Sequence, residues 1–260
     1  YGVGTVGGVR RDITPEVARA IRDMLDYYRS NIATFTDVVF DDPVALARMR
    51  HVGTLSLQEA MRYCALGPTA RGSGLRIDLR WSAPYEAYGD LDVIPIVPQD
   101  YLGKSHGDVY DRFFVRATEI HQSLDLIERC LDGLPSGELM WEPKLPKLLN
   151  YLKQADGEGI GSIEAPRGDD THVVRLTKGT ETITWWKVRA PTYSNAISWP
   201  LMFREQELAD APLILNSVDP CISCMERVLV TDRAAEREEV LVKQELTERC
   251  REKTRRLMRQ

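Results

Sequence analysis

Two cysteines near the carboxyl end stand three residues apart, in Asp219-Pro220-Cys221-Ile222-Ser223-Cys224. Thiolates at that spacing can reach one soft metal ion together. Three chemistries compete: half of a zinc site, a redox dithiol, or part of a specialised metal cluster whose other ligands lie elsewhere. The sequence holds no second CxxC and no closely spaced histidine pair to complete a zinc site. A thioredoxin-like dithiol needs a βαβ setting, and the flanking sequence reads as helical. In Glu164-Ala165-Pro166-Arg167-Gly168, proline and glycine fix the backbone on either side of one arginine. This reads as a turn with a surface salt bridge, or as a guanidinium held rigidly over a reaction centre. A third segment, Arg189-Ala190-Pro191-Thr192-Tyr193-Ser194-Asn195, clusters hydroxyls and an amide and reads first as a turn. A fourth, from Arg71 to Arg80, interleaves glycines with charges. It lacks the Lys-Ser/Thr ending of a phosphate loop and follows no strand, so no nucleotide is expected. His51 and His106 are isolated, His121 sits on a polar helix side, and His172 reads as a polar strand-end residue.

The elements that must position these groups are mostly helices. Thr14-Pro15-Glu16 is a helix start, and Val17, Ile21, Met24, Tyr28, Ile32 and Phe35 predict one apolar face of a long helix. Asp42-Pro43 opens a second helix to about His51, and Ser56 with Glu59 is a capping-box pattern for a third ending near Cys64. Residues 67–107 are dense in turn signals and aromatics, which predicts a long, ordered, irregular segment. Asp108 to Asp132 is the clearest helix, with a near-heptad stripe from Val109 to Leu131 that belongs inside a helix bundle. A short helix is expected at 145–151. A small β-hairpin is expected from 173–177 and 182–188 around Lys178-Gly179. Further helix is expected over 200–208 and, highly charged, over 233–260.

Of the 260 residues 43% are hydrophobic and 28% charged, enough for a globular core and wrong for a disordered chain. The net charge of −5 argues against a general nucleic-acid binder. Five cysteines are too few for a disulfide scaffold. No stretch of apolar residues is long enough to span a bilayer. The start at Tyr1, without methionine or signal-peptide pattern, predicts a fragment truncated at its N-terminus.

Taken in order, these segments resemble a known family. Gly67-Pro68-Thr69-Ala70-Arg71-Gly72-Ser73-Gly74, Asp78-Leu79-Arg80, Pro84-Tyr85, Tyr88 and Gly107-Asp108-Val109-Tyr110-Asp111-Arg112 are similar to the large subunits shared by nickel–iron hydrogenases and the 49-kDa subunit of respiratory complex I. The segments Glu164 to Gly168, Pro191-Thr192-Tyr193 and Asp219 to Cys224 follow in the same order. The resemblance runs from about Gly7 to Asp232. A hydrogenase domain of the large-subunit kind is therefore expected over 1–232, and a charged helical extension over 233–260. Because both thiols are kept, the chain resembles the group 4, membrane-bound, energy-converting hydrogenases more than complex I.

That resemblance implies a mainly α fold, an α+β helix bundle with a small antiparallel β element. It implies a nickel–iron centre carrying carbon monoxide and cyanide, with Cys221 a terminal nickel ligand and Cys224 a bridging one. Arg167 would lie over the open metal position, with Asp219 pairing with or orienting it. Pro166, Pro191 and Thr192 would line the pocket for the diatomic ligands. The family's first CxxC has no counterpart after Tyr1, so two of four thiolate ligands are expected to be missing and the fragment alone to be inactive. Where many relatives carry a histidine, three residues after the second cysteine, Arg227 stands. The implied activity is reversible heterolytic cleavage of dihydrogen coupled to ion translocation. The implied partners are a small iron–sulfur subunit and integral membrane subunits, placing the chain peripherally on the inner, cytoplasmic face of the cell membrane. The alternative is a complex I-like quinone-site subunit without nickel, with Arg71 to Tyr88 helping to line the quinone cavity or carry protons. A zinc-stabilised interaction module is a third reading. The 67–107 segment is expected to serve as a partner-contact surface.

Overall fold

The computed structural model describes residues 4–225, 227–232 and 236–258. The chain divides into two compact units, one ending at Val218 and one beginning at Asp219. The first unit opens with two short paired strands, β1 (Gly4–Thr5) and β2 (Gly8–Val9). Helix α1 (Pro15–Asp41) follows, with the Thr14 hydroxyl accepting from the Val17 N–H. Next come α2 (Pro43–Met49), capped by Asp42, and α3 (Leu57–Arg62), opened by a complete Ser56/Glu59 capping box. The segment expected to be irregular contains three short helices, α4 (Gly67–Gly72), α5 (Leu79–Ser82) and α6 (Pro98–Leu102), with a 3-10 turn at Glu86–Asp90. Helix α7 (Val109–Asp132) is the long one, its Asp108 carboxylate accepting from the Asp111 N–H. After α8 (Leu145–Gln154), strands β3 (Gly157–Ala165), β4 (Gly168–Leu176) and β5 (Trp185–Arg189) form one antiparallel sheet in that order. The unit ends with α9 (Pro191–Ala196), α10 (Trp199–Met202), a 3-10 turn and α11 (Ala211–Val218).

Helix α7 is the axis of this unit and packs against α1, α2, α4, α6 and α11. Leu55, Ala70, Val109, Met202, Ile214 and Val218 form the main core. A smaller cluster joins Leu25 of α1 to Leu124 and Leu131 of α7. The face of α1 turned to that cluster carries Ala18, Ile21, Leu25 and Ile32, at helical spacing. The predicted stripe therefore lies partly off the buried face: Val17, Met24, Tyr28 and Phe35 are exposed. Arg112, fully buried in α7, donates to the Ser217 hydroxyl and to the carbonyls of Gly107 and Gly53. One guanidinium thus ties α7, α11 and two loops, with its donors satisfied as burial requires.

In the second unit a 3-10 turn (Ile222–Met225) leads to the antiparallel pair β6 (Arg227–Asp232) and β7 (Arg237–Val242), then α12 (Lys243–Leu257). The helix expected from 233 begins later, at Lys243. The β-branched Val240 and Val242 favour pairing with β6 instead. Positions 233–235 and 259–260 of that expected helix lie outside the described residues. Likewise the helix expected over 200–208 stops at Met202.

Candidate functional site

The arginine of the first unit's candidate site sits at a tight corner. Ala165 pairs with Gly168 across β3 and β4, so Pro166 and Arg167 are the two-residue loop of a hairpin. The turn expected from the proline-glycine bracket is present, and the hairpin supplies its reason. Its backbone is pressed against the start of α4. A Cβ on Gly67 would lie 2.4 Å from the Arg167 carbonyl oxygen, and one on Gly168 2.6 Å from the Gly67 nitrogen. Only glycines permit that approach, and both have positive φ (59° and 123°).

Helix α9 completes the junction. Pro191 opens it, and Pro191 and Thr192 are buried, as is Asn195 one turn on. Asn195 Oδ1 accepts from the Leu66 N–H at 2.8 Å, while Nδ2 donates to the carbonyls of Leu66 (3.3 Å) and Arg167 (3.4 Å). Of the residues that the sequence singles out, the first unit therefore brings Pro166, Arg167, Pro191 and Thr192 to one junction. Asn195, conspicuous in the sequence only as part of a turn, is the side chain that stitches the junction together.

Behind the turn lies a buried charge network. Arg71, 1% exposed, donates to Glu119 Oε1 at 2.6 Å, to Glu164 Oε1 at 2.8 Å and to the Ile77 carbonyl at 2.9 Å. Arg80 holds both oxygens of buried Asp78, at 2.9 and 2.7 Å. Glu164 Oε2 accepts from the Leu79 N–H, and the Glu164 N–H donates to the Tyr85 hydroxyl. Burial pushes the Glu164 carboxyl above its ordinary value, against the pull of Arg71. By motif, Arg71 and Arg80 belong only to a segment that fails as a phosphate loop, and Glu119 carries no motif at all. The signal that the sequence does hold is charge inside a glycine-rich segment with apolar residues, which calls for buried partners. Within 67–107 all of α4 is buried in its own unit, whereas Trp81, Ile94, Tyr101 and Leu102 are exposed.

Asp219, Cys221 and Cys224 belong to the second unit. Asp219 has a left-handed backbone (φ 56°), which aspartate tolerates better than most residues. The two cysteines are half-buried on and beside the 3-10 turn, with the Cys224 N–H donating to the Cys221 carbonyl at 3.1 Å. The Cys224 backbone N–H also faces the Cys221 sulfur and holds that thiol below its ordinary value, with smaller help from Ser223. A lowered thiol offers more thiolate at neutral pH, the form that binds metal. Among the described residues no cluster of three or more His, Cys, Asp or Glu side chains is placed to hold a metal ion. What the chain offers a soft metal is thus a two-thiolate set, which fits half of a four-thiolate centre and falls short of a closed zinc site.

The model of the respiratory-chain NADH dehydrogenase 49-kDa subunit family matches residues 1–155 and 147–227. The chain belongs to this family. Among curated relatives, the membrane-bound hydrogenase subunit alpha of Pyrococcus furiosus is 42% identical over 256 residues, covering 98% of this chain and 60% of that protein. Formate hydrogenlyase subunit 5 of Escherichia coli is 32% identical, covering 95% of this chain and 41% of that protein. An NADH-quinone oxidoreductase subunit of Desulfotalea psychrophila is also 32% identical, covering 85% of this chain and 56% of that protein. Among solved structures, a chain of the membrane-bound sulfane sulfur reductase, an archaeal respiratory membrane complex, superposes with a TM-score of 0.72 at 31% identity. That match covers 83% of this chain and 57% of the other. The chain thus spans between 41% and 60% of the length of these relatives. The mainly helical 49-kDa-subunit fold expected from the sequence is the fold observed. Among the described residues no helix is long and apolar enough to cross a membrane.

Proposed function

We propose that this chain is the catalytic large-subunit part of an energy-converting nickel–iron hydrogenase, which splits and forms dihydrogen. The observation that carries the reading is the Cys221/Cys224 pair, with the Cys221 thiol held low by a backbone N–H. The identity to a hydrogenase subunit over nearly the whole chain supports it. Cys221 and Cys224 would be two of four thiolate ligands to a nickel–iron centre bearing carbon monoxide and cyanide. When bound, that centre polarises dihydrogen for heterolytic cleavage.

The chain's own residues supply the surroundings of the reaction. Cys221 would take the proton as a thiolate base. Arg167 supplies a guanidinium donor fork held at a tight hairpin corner. Asp219 is the carboxylate of the same set. Pro166 and Pro191 would provide rigid, apolar wall, and the buried Thr192 hydroxyl would donate to a cyanide. Electrons leave through a small iron–sulfur subunit. Integral membrane subunits hold the chain peripherally at the inner membrane face and couple the reaction to ion movement. In functional terms 1–232 is the metal-carrying domain and 233–260 its extension.

A second reading is a quinone-site subunit without nickel. An apolar cavity of about 520 Å³, lined in part by Tyr88, Leu126, Ile127 and Leu131, favours it. So does the relation to NADH-quinone oxidoreductase subunits. Metal analysis and infrared spectroscopy of the assembled complex separate the two. Nickel, iron and the bands of carbon monoxide and cyanide, all lost in Cys221→Ser, are the expected result. Zinc alone, or unchanged activity in Cys221→Ser, would overturn the hydrogenase reading.

A further inference from the structure

A cavity of about 400 Å³ lies beside the Pro166–Arg167 turn. The end of β3 contributes Glu164 to its wall and the turn contributes Pro166, while α7 contributes Arg116, Glu119 and Ser123. It is large enough for several water molecules, and the charged side chains on its wall would hold them. The bonded group on its wall has an uneven arrangement of charge. Asp78 takes its two short bonds from Arg80 and lies 3.5 Å from Arg71, whose own short bonds go to two carboxylates at once, Glu119 and Glu164. Protonating either carboxylate leaves the other paired with Arg71, so a proton can enter without orphaning the buried guanidinium.

We propose that Glu164 and Glu119, bridged by Arg71, are a proton-exchange pair that carries protons between the Arg167 turn and the surface. The two acids differ in the way a relay needs. The Glu164 side chain is 5% exposed and lies close in sequence to Arg167, whereas the Glu119 side chain is 15% exposed. Burial raises the Glu164 carboxyl, and nearby Asp78 adds to the rise. Arg71 and the Leu79 N–H oppose it. Arg80 and Arg116 are the other charged groups on the cavity wall, and Tyr85 abuts the Glu164 backbone.

The step moves a proton and no electron. A proton arriving at the Arg167 turn adds to a Glu164 oxygen, passes through cavity water to Glu119, and leaves from there to solvent. Arg71 keeps its charge throughout. The source of the proton rests on the hydrogenase reading, whereas the titration of the pair does not.

The test uses the assembled complex with wild-type chain, Glu164→Gln, Glu164→Asp and Glu119→Gln. Exchange of deuterium gas with water is measured against pH, with nickel and iron content alongside. Infrared difference spectra after a downward pH step follow the carboxylic C=O band. The expected result is a loss of exchange of at least about tenfold in both glutamine variants at unchanged metal content, with Glu164→Asp recovering most of it. The wild-type carboxylic band should be missing in Glu164→Gln. Wild-type exchange in both glutamine variants, or an unchanged band in Glu164→Gln, overturns the pair. If Glu164→Gln fails to assemble, the partly exposed Glu119→Gln decides. A wild-type complex without nickel sinks the hydrogenase reading alone, because the band still reports on the pair.

Discussion

Single residues decide how the hairpin corner is held, and Arg71 is the most consequential among those described. It is buried, and its three strong bonds go to two carboxylates and a carbonyl. Replacing it by methionine keeps much of the volume but leaves Glu119 and Glu164 with unpaired charge. Arg71→Met should lower the unfolding free energy by about 3–5 kcal/mol, read from urea unfolding curves. A loss under about 1 kcal/mol would mean the carboxylates find other partners or neutralise at little cost. The Cys221 thiol offers a second check, on the metal-free protein. Its folded value is lowered from 9.0 by the Cys224 N–H, so thiolate is present at lower pH than for an unperturbed cysteine. Its alkylation by iodoacetamide should therefore reach half its plateau rate below pH 9.0, mapped by mass spectrometry at that peptide. A half-plateau above that value would show that the N–H does not act on the sulfur.

Elements show which local signals suffice and which do not. The Ser56/Glu59 capping box is legible from Ser56 to Glu59 and is present with both bonds, Ser56 N–H to Glu59 Oε2 at 3.0 Å and Glu59 N–H to Ser56 Oγ at 3.2 Å. Ser56→Ala should cost about 1 kcal/mol of stability. The same box has a pH signature. The Ser56 hydroxyl, aided by its N–H, lowers the Glu59 carboxyl in the folded chain. Its contribution is present above the unfolded value of 4.5 and is lost as the pH falls through the lower folded value. The Ser56→Ala deficit should accordingly shrink in acid, as measured by melting at neutral and acid pH. Strand β3 is not legible in the sequence, because Gly157, Gly159 and Gly161 give it poor intrinsic strand propensity. It is a strand because β4 and the tight Pro166–Arg167 loop place it in register, a pairing that no short window of sequence displays. Helix α11 escapes notice for a different reason: Pro-Leu-Ile-Leu is a short apolar run, and such runs do not declare a period. The candidate residues themselves are legible as types and order, whereas their support is not. Asn195 and Glu119 act on partners 129 and 48 residues away in the chain.

At the scale of the whole molecule, the division at Val218/Asp219 separates two kinds of work. The first unit contains the main core, the Arg112 tie, the Arg71 network and the junction of Pro166, Arg167, Pro191 and Thr192. The bonds described above for the tie, the network and Asn195 all stay inside it. The second contains both candidate thiolates and a small hairpin-helix, held in part by Glu239 accepting two bonds from Arg249 at 2.6 and 3.1 Å. An exposed pair of that kind is screened by solvent, so it adds little to the stability of the second unit. A chain ending at Val218 should therefore still unfold in one cooperative transition, because Arg71, Arg112 and Asn195 keep these partners. The same truncation should abolish nickel retention in the assembled complex, since it removes Cys221 and Cys224 together. Circular dichroism melting of the truncated chain checks the first outcome and elemental analysis of the complex the second. A non-cooperative melt would show that the core of the first unit depends on residues after 218. Nickel retained at full occupancy would show that the centre is held by ligands other than this pair of thiols.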